Sequence, residues 1–146
     1  MQAIIFIGIP GSGKSTFYKK HFFDTHMRIS MDLLNTRNKE LKLMAYARAV
    51  QQKVVIDNTN PTISERKRYI DWFKEKKYDV IAYFFEPDFE RSLHWNNQRM
   101  GKKRVTEVGI KSVFKKLERP TLTEGFDRLY TVIFNAKTGF KIIENS

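Results

Sequence analysis

An α/β domain, a parallel sheet flanked by helices, is predicted by three features of this 146-residue chain. Short apolar runs alternate with segments of helical period along its length, the pattern that builds a parallel sheet with helical crossovers. The first run, Ala3-Ile4-Ile5-Phe6-Ile7, passes directly into Gly8-Ile9-Pro10-Gly11-Ser12-Gly13-Lys14-Ser15-Thr16, a phosphate-binding loop set between a strand and a helix. No repeat, low-complexity tract or linker interrupts the alternation, so residues 1–146 read as one domain around one core.

The elements follow in order. A strand is expected over 2–9 and a helix over about 15–21, ending near the aromatic pair Phe22-Phe23. A short strand over 27–30 leads to a loop or short helix over 31–35. Residues 39–52 are rich in Leu, Lys, Ala and Met, strong helix formers. The apolar run 53–57 reads as a buried strand. Pro61 then precedes Thr62-Ile63-Ser64-Glu65, a capping box opening a helix over 62–77, with Ile63, Ile70 and Phe73 at helical spacing. After a strand over 79–85, a helix over 88–100 places Phe89, Leu93 and Met100 on a buried stripe and Arg91, Trp95 and Arg99 on the opposite face. Residues 101–105 form a basic loop, Thr106 caps a helix to about 117, and 120–125 break the pattern. Two closing strands, 126–134 and 140–144, are joined by a turn at 135–139. Right-handed crossovers place the C-terminal ends of the parallel strands, and the phosphate loop, on one edge of the sheet.

Composition narrows the chemistry. There is no cysteine, which excludes disulfides, thiolate metal sites and cysteine nucleophiles and fits a reducing cytoplasm. His21, His26 and His94 lack ligand spacing, so no metal is implied beyond Mg²⁺. The apolar start is too short for a signal peptide or a membrane span. The expectation is a soluble, cytoplasmic protein with no membrane and no protein partner implied. The formal charge is +11, and residues 99–119 hold eight cations against Glu107 and Glu118, a net +6 in one stretch. Such clustering favours a polyanionic partner over charge spread merely for solubility.

Glycines at 8, 11 and 13 let the backbone curl with its N–H groups inward, and the helix behind presents its positive dipole end to the same oxygens. Gly8, Pro10, Gly11, Ser12, Gly13, Lys14, Ser15 and Thr16 are therefore the expected cradle for a nucleoside triphosphate. Lys14 is placed for the β- and γ-phosphates, Ser15 for Mg²⁺, and Thr16 for packing or capping. Ser30-Met31-Asp32 sets a carboxylate just past the second strand, on the edge that carries Lys14. Asp32 is either a general base for an attacking hydroxyl or a helix cap, and the two roles are compatible. Asp57 ends the strand 53–57 in the manner of a metal-holding carboxylate, its alternative being a turn residue ahead of Asn58-Thr59-Asn60-Pro61. Neither Asp-x-x-Gly nor Asn-Lys-x-Asp occurs where a GTPase needs it, so the expected donor is ATP. Arg99-Met100-Gly101-Lys102-Lys103-Arg104, a cation-rich lid at about 99–106, could bring Arg99 over the transferring phosphate or leave it as a solvated helix-end cation.

With Gly-x-Pro-Gly-Ser-Gly-Lys-Ser-Thr, Ser30-x-Asp32, Asp57-Asn58-Thr59-Asn60 before a capped helix and Asn97-Gln98-Arg99, residues 2–118 resemble the kinase domain of phage-type polynucleotide kinases. The resemblance implies an adenylate-kinase-like P-loop kinase fold with an arginine-bearing lid, here followed by a C-terminal strand pair. It implies transfer of the ATP γ-phosphate to a 5′-hydroxyl end of DNA or RNA, with Lys14 and Ser15 on the nucleotide, Asp32 as base and Arg99 as lid arginine. Two positions depart from the pattern. Asn35 stands where the family has an arginine for the acceptor's 3′-phosphate, with Arg37 two residues on, and Thr106 replaces the proline that opens the lid helix. Nothing beyond Glu118 reads as a phosphatase domain. Asn35, Asn58, Asn60, Lys102 and Arg104 are the candidate acceptor contacts, and Trp95 either stacks on a base or packs. Two other uses remain open: a small-molecule kinase of the same fold, and a module that binds ATP and nucleic acid without transfer.

Overall fold

The computed structural model describes residues 1–146, the side chain of Lys102 excepted. Six strands form one sheet: β1 (Gln2–Ile7), β2 (Met27–Ile29), β3 (Val54–Ile56), β4 (Asp79–Phe85), β5 (Arg128–Asn135) and β6 (Gly139–Asn145). Their spatial order is β2-β3-β1-β4-β5-β6, parallel from β2 to β5, with β6 antiparallel on β5. The helices are α1 (Lys14–His21), α2 (Met31–Leu34), α3 (Arg37–Ala49), α4 (Ile63–Glu75), α5 (Phe89–Asn97) and α6 (Glu107–Lys116), with 3₁₀ turns at Gly101–Lys103 and Leu122–Glu124. Among these, no helix is long and apolar enough to cross a membrane.

The two-residue period of β1 divides the core. Ala3, Ile5 and Ile7 face one side with Val54, Ile56, Val80, Ala82 and Phe84, and there meet Met44 and Ala47 of α3 and Tyr69, Ile70 and Phe73 of α4. Ile4 and Phe6 face the other side with Val55, Ile81 and Phe85, and meet Phe17, Tyr18 and Phe22 from α1 and the turn after it. Continuous apolar strands are what a sheet buried on both faces requires. Because β1 lies between β3 and β4, its C-terminal end opens at the switch in strand order, and the phosphate loop hangs there.

Several boundaries differ from the sequence expectation for local reasons. Helix α3 starts earlier because the Thr36 side chain accepts from Lys39 N at 3.2 Å, and it stops at Ala49 because Gln51 turns left-handed at φ 56°. The Thr62 cap forms as expected, accepting from Glu65 N at 3.2 Å. Ile63, however, is 43 % exposed, and the inward face of α4 is Arg66, Tyr69, Ile70 and Phe73. The larger correction is α5. It ends at Asn97, not Met100; Met100 is 85 % exposed, and the buried positions are Ser92 and Asn96. Asn96 explains the early stop: its side chain accepts from Val105 N at 2.8 Å and donates to Val105 O, folding residues 98–104 back over the helix end. Gly101 makes that return turn at φ 61°.

Arg66 is fully buried and forks onto Glu124 at 2.8 and 3.1 Å while donating to the carbonyls of Asn60 and Pro61. This contact ties α4, the turn after β3 and the turn at Leu122–Glu124 into one unit. Arg66→Met strands the Glu124 carboxylate without its partner, so urea unfolding should show a loss of about 3–5 kcal/mol, with Glu124→Met in the same chain recovering most of it.

Candidate active site

The phosphate loop is held in place by what lies behind its glycines. Gly11 (φ 77°) and Gly13 (φ 92°) are left-handed, and a Cβ on Gly11 would lie 2.5 Å from the Ser92 carbonyl oxygen of α5. A Cβ on Gly13 would lie 2.8 Å from the Phe140 ring of β6 and 3.3 Å from the Trp95 indole. The loop is therefore wedged between α5 and the C-terminal hairpin. On its other flank, Gly8 N donates to Thr59 O at 3.0 Å, which joins it to the turn after β3.

In front of the loop is a cleft of about 310 Å³. Pro10, Lys14 and Ser15 form its loop side, Asp32 its α2 side, Asp57, Asn58, Thr59 and Asn60 its floor, and Arg99, Lys103 and Val105 its lid side. Lys14 is buried, its Nζ donating to Gly8 O (3.1 Å), Ile9 O (2.9 Å) and Ser12 Oγ (3.4 Å). Burial lowers its pKa to about 8; the Asp57 carboxylate opposes the shift, Arg99 adds to it, and Asp32 opposes it. Lys14 thus feels the charges of Asp57, Arg99 and Asp32, each of which the sequence singled out.

Asp57 is buried at the end of β3, its Oδ2 accepting from Arg28 Nε at 2.7 Å and from Ser15 Oγ at 3.5 Å. Asp32 is exposed in the first turn of α2, and among the described residues its carboxylate has no hydrogen bond or ion pair. The α2 turn is fixed instead from below: Met31 N donates to Asn58 Oδ1 at 2.9 Å, while the Ser30 side chain makes no cap contact.

Not every residue singled out by sequence lies in the cleft. Gly8, Gly11, Ser12 and Gly13 form the loop behind it, and Thr16 is exposed on α1 outside it. Asn60 reaches the cleft, but its amide nitrogen is committed to Phe6 O at 2.8 Å. Asn35 closes α2 in a left-handed conformation (φ 68°), away from the cleft. Arg104 lies on the far side of the lid turn, within 3.3 Å of Asn97 Oδ1 and beside Leu93 and Thr106. The Lys102 side chain lies outside the described residues. Trp95 packs edge-on against Phe134 with the Arg91 guanidinium over its ring, the packing alternative of the two.

Sequence reasoning missed Arg28, Glu40, Arg68 and Tyr69 and offered Arg37 only as the nearest arginine beyond Asn35. Arg28, Arg37, Arg68 and Tyr69 all line the cleft. Behind them Glu40 is fully buried, accepting from Arg37 (3.0 Å) and Arg68 (3.2 Å) on Oε1 and from Tyr69 OH (2.6 Å) on Oε2. The only signal in the chain is a lone acidic residue early in a basic helix, which reads equally as a solvated charge.

The family model for the AAA domain matches residues 4–120. A bifunctional polynucleotide phosphatase/kinase of Schizosaccharomyces pombe is 31 % identical over 137 residues, 91 % of this chain and 34 % of that protein. A protein of Acanthamoeba polyphaga mimivirus provisionally given the same name is 35 % identical over 140 residues, 91 % of this chain and 33 % of that one. The chain spans about a third of the length of these curated relatives. Among solved structures, Chaetomium thermophilum Kti12 in complex with ADP-AlF3 superposes with a TM-score of 0.68 at 14 % identity, over 91 % of this chain and 89 % of that one, a likeness of fold. A phosphate loop at the switch point of a parallel sheet, and a family match over most of the length, lead to one assignment: the chain belongs to the AAA domain family, as a P-loop domain of kinase type.

Proposed function

We propose that this protein transfers the γ-phosphate of ATP to the 5′-hydroxyl end of DNA or RNA. The observation that carries the proposal is the convergence on one cleft of Lys14, the exposed carboxylate of Asp32 and the lid cation Arg99. Phosphoryl transfer to an alcohol needs charge stabilisation on the donor and a proton acceptor beside the attacking oxygen. Lys14 and the loop N–H groups serve the β- and γ-phosphates, Arg99 offsets charge on the transferring group, and Asp32 accepts the hydroxyl proton. The Ser15 hydroxyl and Asp57 carboxylate, 3.5 Å apart, suit a magnesium ion, which takes one or two protein oxygens and completes its shell with phosphates and water. Bound there, the ion would neutralise charge between the β- and γ-phosphates. Arg28, its Nε 2.7 Å from Asp57 Oδ2, holds that carboxylate beside Ser15.

The acceptor class rests on two supports. The relatives are named polynucleotide phosphatase/kinases, and the lid and α6 carry exposed Lys103, Arg104, Lys111, Lys115 and Lys116, of which Lys103 lines the cleft. Such a surface favours a polyanion by counterion release, and Arg37 and Arg68 place two more cations at the acceptor end of the cleft. A cysteine-free chain suits the reducing cytoplasm in which we place this activity.

With Mg²⁺ and γ-labelled ATP, label should appear on 5′-hydroxyl oligonucleotides, and label confined to small alcohols would overturn the acceptor. In the same assay Asp32→Asn should lower transfer by about 10²–10⁴-fold while ATP affinity stays within about twofold. The lowered Lys14 pKa makes a second prediction. Near pH 8.5 the free protein holds Lys14 partly neutral, and polyphosphate favours the ammonium, so ATP binding should take up protons there and weaken as pH rises further. Calorimetry in buffers of unlike ionisation enthalpy should detect uptake at pH 8.5 and little at pH 6.5, with the difference lost in Lys14→Met.

A further inference from the structure

We propose that Glu40 is a positioning residue that holds the acceptor end of the cleft in working order, an inference that rests on the phosphoryl-transfer reading above. Glu40 is fully buried in the first turn of α3, and every group around its carboxylate is a donor. Arg37 Nη1 (3.0 Å) and both terminal nitrogens of Arg68 (3.2 Å each) meet Oε1, while Tyr69 OH (2.6 Å) and Asn58 Nδ2 (3.4 Å) meet Oε2. Tyr69 is kept protonated by burial and by its bond to Glu40, so its hydroxyl has a proton to give.

Two consequences follow from that donor shell. Arg37 and Arg68, each about half exposed, are drawn from different helices to one point and are held side by side at the cleft. Asn58 is turned one way only: with Nδ2 spent on Glu40 and on Tyr69 OH (3.0 Å), its Oδ1 is left to accept from Met31 N at 2.9 Å. That bond satisfies a free N–H at the start of α2, which the Ser30 side chain leaves uncapped, and Asp32 is the next residue along. Glu40 therefore reaches Asp32 through one side chain and one backbone amide. No neutral isostere can replace it: a glutamine amide presents its own donors either to the two arginines or to Tyr69 and Asn58.

The test uses the full chain and compares Glu40→Gln, Glu40→Asp and Tyr69→Phe by steady-state transfer, by affinity for a non-hydrolysable ATP analogue and by thermal melting. Glu40→Gln should lower kcat by about 10–100-fold and raise KM for the acceptor, with affinity for the analogue within about twofold of wild type. Glu40→Asp, which keeps an all-acceptor carboxylate, should recover most of the kcat. Tyr69→Phe should lower kcat by about 3–10-fold at unchanged analogue affinity, since it removes the nearer of the two acceptors of Asn58 Nδ2 without touching the charge. Wild-type kcat in Glu40→Gln would overturn the proposal, as would parallel losses of kcat, analogue affinity and melting temperature in both Glu40 variants. Should Glu40→Gln fail to fold, wild-type kcat in Tyr69→Phe overturns it alone. Failure of the nucleic-acid reading shows separately, in the wild-type arm; the variants are then compared on whichever alcohol the wild type phosphorylates.

Discussion

Like charges crowded around one cleft are the constraint from which the rest of this structure follows. Lys14, Arg28, Arg37, Arg68, Arg99 and Lys103 all border it, as a site for a triphosphate demands, and they repel one another. Two buried carboxylates hold three of them. Asp57 anchors Arg28 beside Ser15 at the loop end, and Glu40 anchors Arg37 and Arg68 at the opposite end. Both anions converge on the single turn after β3, where Asp57 is followed directly by Asn58, the residue that joins Glu40 to α2. Removing one member of such a cluster leaves a buried charge uncompensated, which is why each end behaves as a unit.

Rigidity comes from packing and not from charge. Gly11 and Gly13 allow the loop to touch α5 and β6 so closely that no side chain fits between, and the Phe140 ring also belongs to the aromatic cluster around Phe17. The C-terminal hairpin thereby supports the phosphate loop from behind. The lid is tied differently, by the Asn96 side chain clasping the Val105 backbone and by Arg99 reaching the Lys103 carbonyl at 3.4 Å. Its segment is short, and Met100 within it is exposed. In the proposed reaction this tethered cationic turn would close over the bound nucleotide.

What the sequence disclosed was whatever depends on neighbours along the chain. The phosphate loop is a nine-residue pattern between a strand and a helix, and Asp57 ends an apolar run, so both are local statements; β4 fell on its expected bounds for the same reason. The place of Asp32 at the cleft was legible because a parallel sheet carries the C-terminal ends of its strands to one edge. Arg28, Glu40, Arg68 and Tyr69 come together from three elements, β2, α3 and α4, separated by up to 41 positions, and nothing local distinguishes them from solvated charges or core filler. The misread end of α5 has the same origin. Met100 continues an apolar spacing that suits a longer helix, but the Asn96 contact with Val105, nine residues away, overrides it.

In the proposed reaction donor and acceptor would share a single cleft, so the phosphoryl group is expected to pass directly from one to the other. Initial velocities measured over a grid of Mg-ATP and 5′-hydroxyl oligonucleotide concentrations test this most directly. Intersecting double-reciprocal lines, the mark of a ternary complex, are the predicted result. Parallel lines, with label retained on the protein when the acceptor is withheld, would mean a phosphorylated enzyme intermediate and would contradict the account.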